Sequence, residues 1–259
     1  MPVHYGDASK NVVTISSPLA TQIPQASGAG YHYRIRGEDK VAVTYFGDGS
    51  ASEGDFHSAM NFAATLKSQT LFYCRNNMYA ISTPVDDQYA GDGIAARGVA
   101  YGMMTQRIDG NDALAALTAT RRARERIIEN RAPALIESMS YREGDHSTSD
   151  FSKLYRDEGE MKKWNELISK LGNPIYRLER HLVKRGAINE NYRKEVQEET
   201  KAKVREGLAN AKKEVHPHID TLFDDVYADL PPRLQEQKKE LYAHLAEYGE
   251  HYNIDKYEK

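Results

Sequence analysis

A single cysteine, Cys74, is the whole thiol content of this 259-residue chain, so no internal disulfide can brace it. Cys74 lies in an apolar run, which suits a buried, inert thiol and a reducing compartment. Long hydrophobic runs are also missing. No stretch approaches the ~18 apolar residues of a membrane span, and the opening Met-Pro-Val-His-Tyr-Gly has none of the Arg-rich, amphipathic character of a transit peptide. Charge of one sign is not in excess either. The 35 Lys and Arg stand against 38 Asp and Glu, for a net charge of -3, and the two signs are interspersed. That balance gives no electrostatic case for nucleic-acid or membrane-surface binding. The chain reads as soluble, without internal repeats or low-complexity tracts.

What the chain does have is 40% apolar content, enough for one large core, or one core with a helical appendage. Four β-branched or aromatic runs, residues 41–46, 70–74, 104–108 and 134–139, alternate with helical patterns. That order predicts an α/β fold with a parallel sheet and flanking helices. Between the first two runs, Phe56, Ala59, Met60, Ala63 and Ala64 recur at helical spacing, with Ser52 and Asp55 as a capping box. Upstream, Ser16 and Ser17 before Pro18 predict a second helix start. After residue 150 the strand runs stop and the chain becomes charged and helical, which divides it into an α/β domain over 1–150 and a helical region over 151–259. In that region Pro174 predicts a short helix with Ile175, Leu178 and Leu182 inward, ending at Lys184, Arg185 and Gly186, and Asn189 predicts the cap of a longer one.

The chemistry is concentrated in Gly47-Asp48-Gly49, immediately after one strand, and Asn76-Asn77, immediately after the next. Either piece alone reads as a turn, as Gly91-Asp92-Gly93 does. Together they are more specific, because both strand ends of a parallel sheet emerge on its carboxyl edge, where open α/β sheets bind ligands. Asp48 and Asn77 can converge there on one ion, and a hard oxygen shell suits magnesium shared with phosphate oxygens. Glycines let backbone approach a phosphate, and the following helix presents N-terminal amides. The pattern reads as a magnesium diphosphate clamp. A Walker loop is excluded by the lack of Gly-Lys-Ser/Thr, and a dinucleotide fingerprint by the lack of Gly-x-Gly-x-x-Gly.

The Gly-Asp-Gly to Asn-Asn span is similar to the thiamine-diphosphate motif, and its surroundings narrow the resemblance. They are Ser16-Ser17-Pro18-Leu19-Ala20-Thr21-Gln22, Ala51-Ser52-Glu53-Gly54-Asp55, Arg75-Asn76-Asn77-Met78-Tyr79-Ala80-Ile81-Ser82-Thr83-Pro84, His146-Ser147-Thr148-Ser149-Asp150 and Tyr248-Gly249-Glu250-His251-Tyr252. These resemble the alpha subunits of branched-chain 2-oxo acid dehydrogenases rather than the pyruvate dehydrogenase ones, over essentially the whole chain.

The resemblance implies magnesium held by the Asp48 carboxylate, the Asn77 side-chain oxygen and the Tyr79 carbonyl, with Ser17, Gly49, Ser50 and Arg75 on the thiamine diphosphate. It implies potassium at Ser16, Pro18, Thr21 and Gln22, although those residues by themselves read rather as an ordinary helix cap. His146 matches an active-site histidine, and Ser147 a phosphorylation position. Without the resemblance, His146 is a solvated loop residue, and the neighbouring Asp145 favours its imidazolium form if close enough. The implied activity is oxidative decarboxylation of branched-chain 2-oxo acids, with acyl transfer to a lipoyl group. Implied partners are a beta subunit in an alpha2-beta2 heterotetramer, a lipoyl-bearing transacylase core, and a regulatory kinase and phosphatase, in the mitochondrial matrix. Family members carry a substantial segment before the residue matching Met1, with a Tyr-Arg pair that contacts the diphosphate. The chain is therefore expected to be shortened at its N-terminus, aggregation-prone when expressed alone and inactive. Three readings stay open: a competent enzyme subunit, a chain that assembles without catalysing, and a free-standing binding protein for phosphorylated ligands.

Overall fold

Alternating strand and helix patterns give a βα layering in the computed structural model, which describes residues 4–167, 172–224 and 226–258. Residues 1–3, part of the opening segment read for an address, lie outside the described residues. In chain order the main elements are α1 (Gln22–Arg36), β1 (Ala42–Gly47), α2 (Gly54–Thr65), β2 (Thr70–Asn76), β3 (Tyr79–Ala80), β4 (Thr83–Pro84), α3 (Val85–Gln88), α4 (Ala95–Ala100), β5 (Met104–Asp109), α5 (Ala113–Asn130), β6 (Ala134–Met139), α6 (Glu158–Leu167), α7 (Pro174–Lys184), α8 (Tyr192–Ala211) and α9 (Pro232–Tyr248). The strands β1, β2, β6 and β5 lie in that order in one parallel sheet. The small antiparallel pair β3–β4 stands apart.

Side-chain alternation covers both faces of the two central strands. Phe72 and Cys74 of β2 and Leu135 of β6 pack with Phe56, Ala59, Met60 and Ala63 of α2 and with Ile23 of α1. Leu71, Ala134 and Ile136 face the other way, onto Ala119, Ala123 and Ile127 of α5. The periodic positions expected of α2 are thus its buried stripe, and complete burial of Phe56 or Met60 is worth on the order of 1.5–3 kcal/mol each. Cys74 has no exposed surface. Burial, and then the charges of Glu137 and Asp48, push its thiol well above the ordinary range, so it is inert.

Three local expectations are corrected by geometry. The helix expected after Ser17 begins at Gln22, because Ala20 turns the backbone left-handed at φ 64. Pro24, not Pro18, is therefore the proline of its first turn, where the missing N–H goes unneeded. Ser52 does not cap α2: it closes a short 3-10 turn, Ser50–Ser52, and its hydroxyl donates to Gln88 Oε1 at 2.7 Å. In α7, Asn173 accepts from Ile175 and Tyr176 N–H and Pro174 occupies the first turn, and Gly186 follows in the left-handed region at φ 68. Ile175, however, faces solvent at 65% exposure, while Leu178 and Leu182 are half-buried.

The chain divides into two compact units, Met1–Ile188 and Asn189–Lys259. The first contains the sheet, all the candidate site residues, and α7, whose Arg177 forks to Asp109 at 2.6 Å and Asp112 at 3.1 Å. The second carries α8 and α9. Asn189 accepts from Asn191 N–H rather than from the first turn of α8, where no side-chain cap bond is made. Among the described residues no helix is long and apolar enough to cross a membrane.

The end of α2 offers a test of backbone chemistry remote from the site. Lys67 follows the C-cap Leu66 at φ 51, with its side chain in solvent. A left-handed lysine costs roughly 1–2 kcal/mol that glycine avoids, offset in part by the greater freedom glycine has when unfolded. Lys67→Gly should raise stability by up to about 1 kcal/mol, or roughly 2–4 °C in melting temperature. A thermal melt with an unchanged or lower midpoint would contradict this.

Candidate cofactor and metal site

The in-register parallel strands align their carboxyl ends: Gly47 lies beside Arg75, and Asn76 beside Met139. Asp48 emerges directly after β1 and Asn77 directly after β2, and the structure joins them. The Asn77 backbone N–H donates to Asp48 Oδ1 at 3.2 Å, and Gln88 Nε2 donates to Oδ2 at 3.2 Å. The Asn77 side-chain oxygen accepts from Tyr79 N–H at 3.2 Å, folding its carboxamide back onto its own loop.

Asp48 is only 1% exposed. Among the described residues, no lysine, arginine or histidine forms an ion pair with it. A buried carboxylate with two neutral donors and no cation is a costly arrangement that a bound positive charge relieves. The Asp48 carboxylate and the Asn77 loop bonded to it carry oxygen donors of the hard kind that magnesium takes. The residues present fit a magnesium diphosphate.

Glycine matters at position 49 for packing: a Cβ there would stand 3.0 Å from the Ala80 Cβ, so a side chain would push the β3–β4 pair away from β1. Ser50 is buried beside it in the 3-10 turn. Arg75, the penultimate residue of β2, has an exposed side chain that forms no ion pair among the described residues, and strand alternation turns it to the face opposite Asn76.

The Ser16 to Gln22 stretch is partly drawn together. The Thr21 hydroxyl donates to the Pro18 carbonyl at 3.1 Å and lies 3.5 Å from Gln22 Oε1. Ser16 is half-buried, and Ser17 bonds His4 Nε2. No hydrogen bond connects Ser16, Ser17, Arg75 or the His146 ring to the Asp48–Asn77 pair among the described residues.

His146 follows β6 on an exposed loop, with its backbone N–H on Asp150 Oδ2 at 2.7 Å. The Tyr155 hydroxyl donates to the same oxygen at 2.6 Å, and these donors hold Asp150 below the usual carboxylate range. Asp145 does not serve the imidazole. Its carboxylate takes the Ser152 hydroxyl at 2.5 Å and the Ser152 N–H at 2.8 Å, which lower its pKa. Ser147 is exposed, and its Oγ accepts from Ser149 N–H at 3.3 Å.

Sequence reasoning missed Gln88 as a donor to Asp48, and with it the buried Glu137. A lone carboxylate inside the apolar run of β6 was the signal available, since buried charges need partners.

Comparison with known proteins adds the family. Residues 1–220 match the model of the dehydrogenase E1 component. Over all 259 residues the chain is 48% identical to the mitochondrial 2-oxoisovalerate dehydrogenase subunit alpha of Bos taurus, covering 56% of that protein. The corresponding subunit of Caenorhabditis elegans is 51% identical over 253 residues, 97% of this chain and 58% of its own length. That of Dictyostelium discoideum is 48% identical over 258 residues, 99% of this chain and 58% of the relative. The chain therefore spans a little over half the length of the curated relatives it matches. A parallel α/β sheet with two strand ends converging on a buried, uncompensated aspartate, together with a family match over most of its length, means that this chain belongs to the dehydrogenase E1 component family.

Proposed function

We propose that this chain acts as the alpha subunit of a branched-chain 2-oxo acid dehydrogenase decarboxylase, holding magnesium and the diphosphate of thiamine diphosphate. The observation that carries the reading is the buried Asp48 carboxylate, bonded to Asn77 and lacking a cationic partner among the described residues. Identity of 48–51% to 2-oxoisovalerate dehydrogenase alpha subunits supports the choice of substrate class. The cofactor, when bound, supplies the electron sink for loss of carbon dioxide.

The chain's own residues grip and orient. Asp48, the Asn77 carboxamide oxygen and the Tyr79 carbonyl hold magnesium, while Arg75 donates charge-assisted hydrogen bonds to diphosphate. Gly49 and Ser50 line the close approach after β1, Ser17 contacts the cofactor, and His146 hydrogen-bonds near the reacting end. Ser16, Pro18, Thr21 and Gln22 hold potassium, for which the Thr21 contacts with Pro18 and Gln22 are a suitable oxygen cluster. Cofactor binding belongs to residues 1–150, and 151–259 form the helical C-terminal region. The beta subunit completes the site in an alpha2-beta2 assembly that delivers its acyl group to a lipoyl-bearing transacylase core. Ser147 is the position on which a kinase and phosphatase act, and the location is the mitochondrial matrix.

Co-expression with the beta subunit, followed by size measurement and decarboxylation assays, tests the proposal. Assembly with turnover that requires magnesium and thiamine diphosphate, and that favours branched 2-oxo acids over pyruvate, would identify a competent enzyme subunit. Assembly without turnover would identify a non-catalytic chain, and phosphorylated-ligand binding without assembly a free-standing binding protein.

A further inference from the structure

The buried carboxylate of Glu137, in the middle of β6, is the opposite of Asp48: it is saturated. It has no exposed surface. Its Oε1 accepts from Ile94 N–H at 2.9 Å and Asn76 Nδ2 at 2.9 Å, and its Oε2 from Ala95 N–H at 2.8 Å and Arg107 Nε at 2.9 Å. Burial raises the Glu137 carboxyl, but the donors from Ile94, Asn76, Ala95 and Arg107 outweigh that effect and leave it below the ordinary glutamate value. It is an ionised, fixed acceptor. The loop that read as a plain turn is shaped around it, since a Cβ on Gly93, which sits at φ 67, would lie 2.7 Å from Glu137 Oε1 and 2.5 Å from Arg107 Nη2.

An ionised carboxylate only accepts, so it dictates which end of the Asn76 carboxamide faces it. The nitrogen points to Glu137 and to the Tyr89 hydroxyl at 3.2 Å, which leaves the Asn76 oxygen to accept from Met78 N–H at 3.0 Å. Met78 is a left-handed non-glycine residue, φ 74, in the middle of the metal loop. The three successive N–H groups of Asn77, Met78 and Tyr79 are therefore held by Asp48, Asn76 and Asn77 side-chain oxygens respectively. With the Asn76 carboxamide reversed, its oxygen would face a carboxylate and its NH2 would face the Met78 N–H, leaving no partner to hold the left-handed turn.

We propose that Glu137 is a positioning residue for the metal loop: acting through Asn76, it holds Met78 left-handed and so aims the Asn77 and Tyr79 oxygens at the ion beside Asp48. The inference rests on the magnesium diphosphate reading given above. Glu137→Gln places an NH2 among four donors and removes the charge that orients Asn76. Asn76→Ala removes the link but leaves Glu137 its Ile94, Ala95 and Arg107 donors, and so perturbs the core less.

The test has two readouts on the chain assembled with its beta subunit: magnesium half-saturation at saturating thiamine diphosphate, and hydrogen exchange of the Met78 amide without either ligand. Each single variant should raise magnesium half-saturation by about tenfold or more, the range seen when outer-shell partners of metal ligands are lost. The double variant should add little further, because both residues lie on one path. Met78 should exchange faster in every variant. Wild-type-like half-saturation with unchanged Met78 exchange in Asn76→Ala would overturn the proposal, as would additive effects in the double variant. If the unmodified chain shows no magnesium-dependent cofactor binding, the functional reading fails by itself. The Met78 exchange rates then decide the Glu137–Asn76 link separately.

Discussion

Replacing Asp48 or Asn77 by alanine in the assembled complex should weaken binding of magnesium with thiamine diphosphate by at least tenfold, or about 1.4 kcal/mol. On the proposed reading the two oxygens serve one ion from adjacent strand ends, so either loss breaks the shell. Asp48 should be the more sensitive of the two, since it supplies the charge and its carboxylate also accepts the Asn77 and Gln88 donors. Calorimetric titration of both variants checks this, and unchanged affinity would contradict the assignment. The same geometry has an opposite consequence for the ligand-free chain. A buried carboxylate with no cation among the described residues is a burden on stability, so Asp48→Asn, which removes charge but keeps shape, should melt no lower than the unmodified chain without ligands. A site that costs stability until its ligand arrives is the usual compromise of binding function.

Phosphorylation of Ser147 should displace the His146 loop and suppress turnover. The modification adds roughly -1.5 to -2 charges, and the loop already carries Asp145 and Asp150. Both carboxylates are committed to internal bonds, Asp145 to Ser152 and Asp150 to the His146 N–H and the Tyr155 hydroxyl. A phosphate beside them repels the oxygens that close the loop, and it also takes Oγ from its contact with Ser149 N–H. The family resemblance implies that Asp157 stands where members can carry a second serine. Here its carboxylate accepts from Glu160 N–H at 2.7 Å at the start of α6, a capping role that suits aspartate. One site should therefore suffice for control. Limited proteolysis of matched phosphorylated and unmodified complexes should show faster cleavage in the loop after phosphorylation, together with lower turnover. Equal cleavage and equal turnover would count against it.

The parts of this molecule that were legible in its sequence are those set by periodicity. Four β-branched or aromatic runs are the four parallel strands, and the spacing of Phe56, Ala59, Met60 and Ala63 marks the buried face of α2. The meeting of Asp48 with Asn77 also followed, because residues just past two adjacent parallel strands must share an edge. Caps were less legible. Ser52 fits the capping pattern but bonds Gln88 instead, a contact 36 residues away that no local pattern contains. Ala20 hides a left-handed turn that sequence assigns to glycine or asparagine, and that turn moved the start of α1 to Gln22. The partners of Glu137 were out of reach for the same reason: they come from β2, the residues that open α4, and β5. Gly91-Asp92-Gly93 looked like an ordinary turn because its constraint is a neighbour in space.

The central claim is that Asp48 and Asn77 together hold the metal of a bound thiamine diphosphate. A crystal structure of the chain with its beta subunit, grown with magnesium and thiamine diphosphate, tests it most directly. Magnesium should lie about 2.0–2.1 Å from an Asp48 carboxylate oxygen and from the Asn77 side-chain oxygen, the distance its octahedral shell demands, with diphosphate oxygens on the same ion. Magnesium bound elsewhere, or diphosphate seated away from the ends of β1 and β2, would contradict the account.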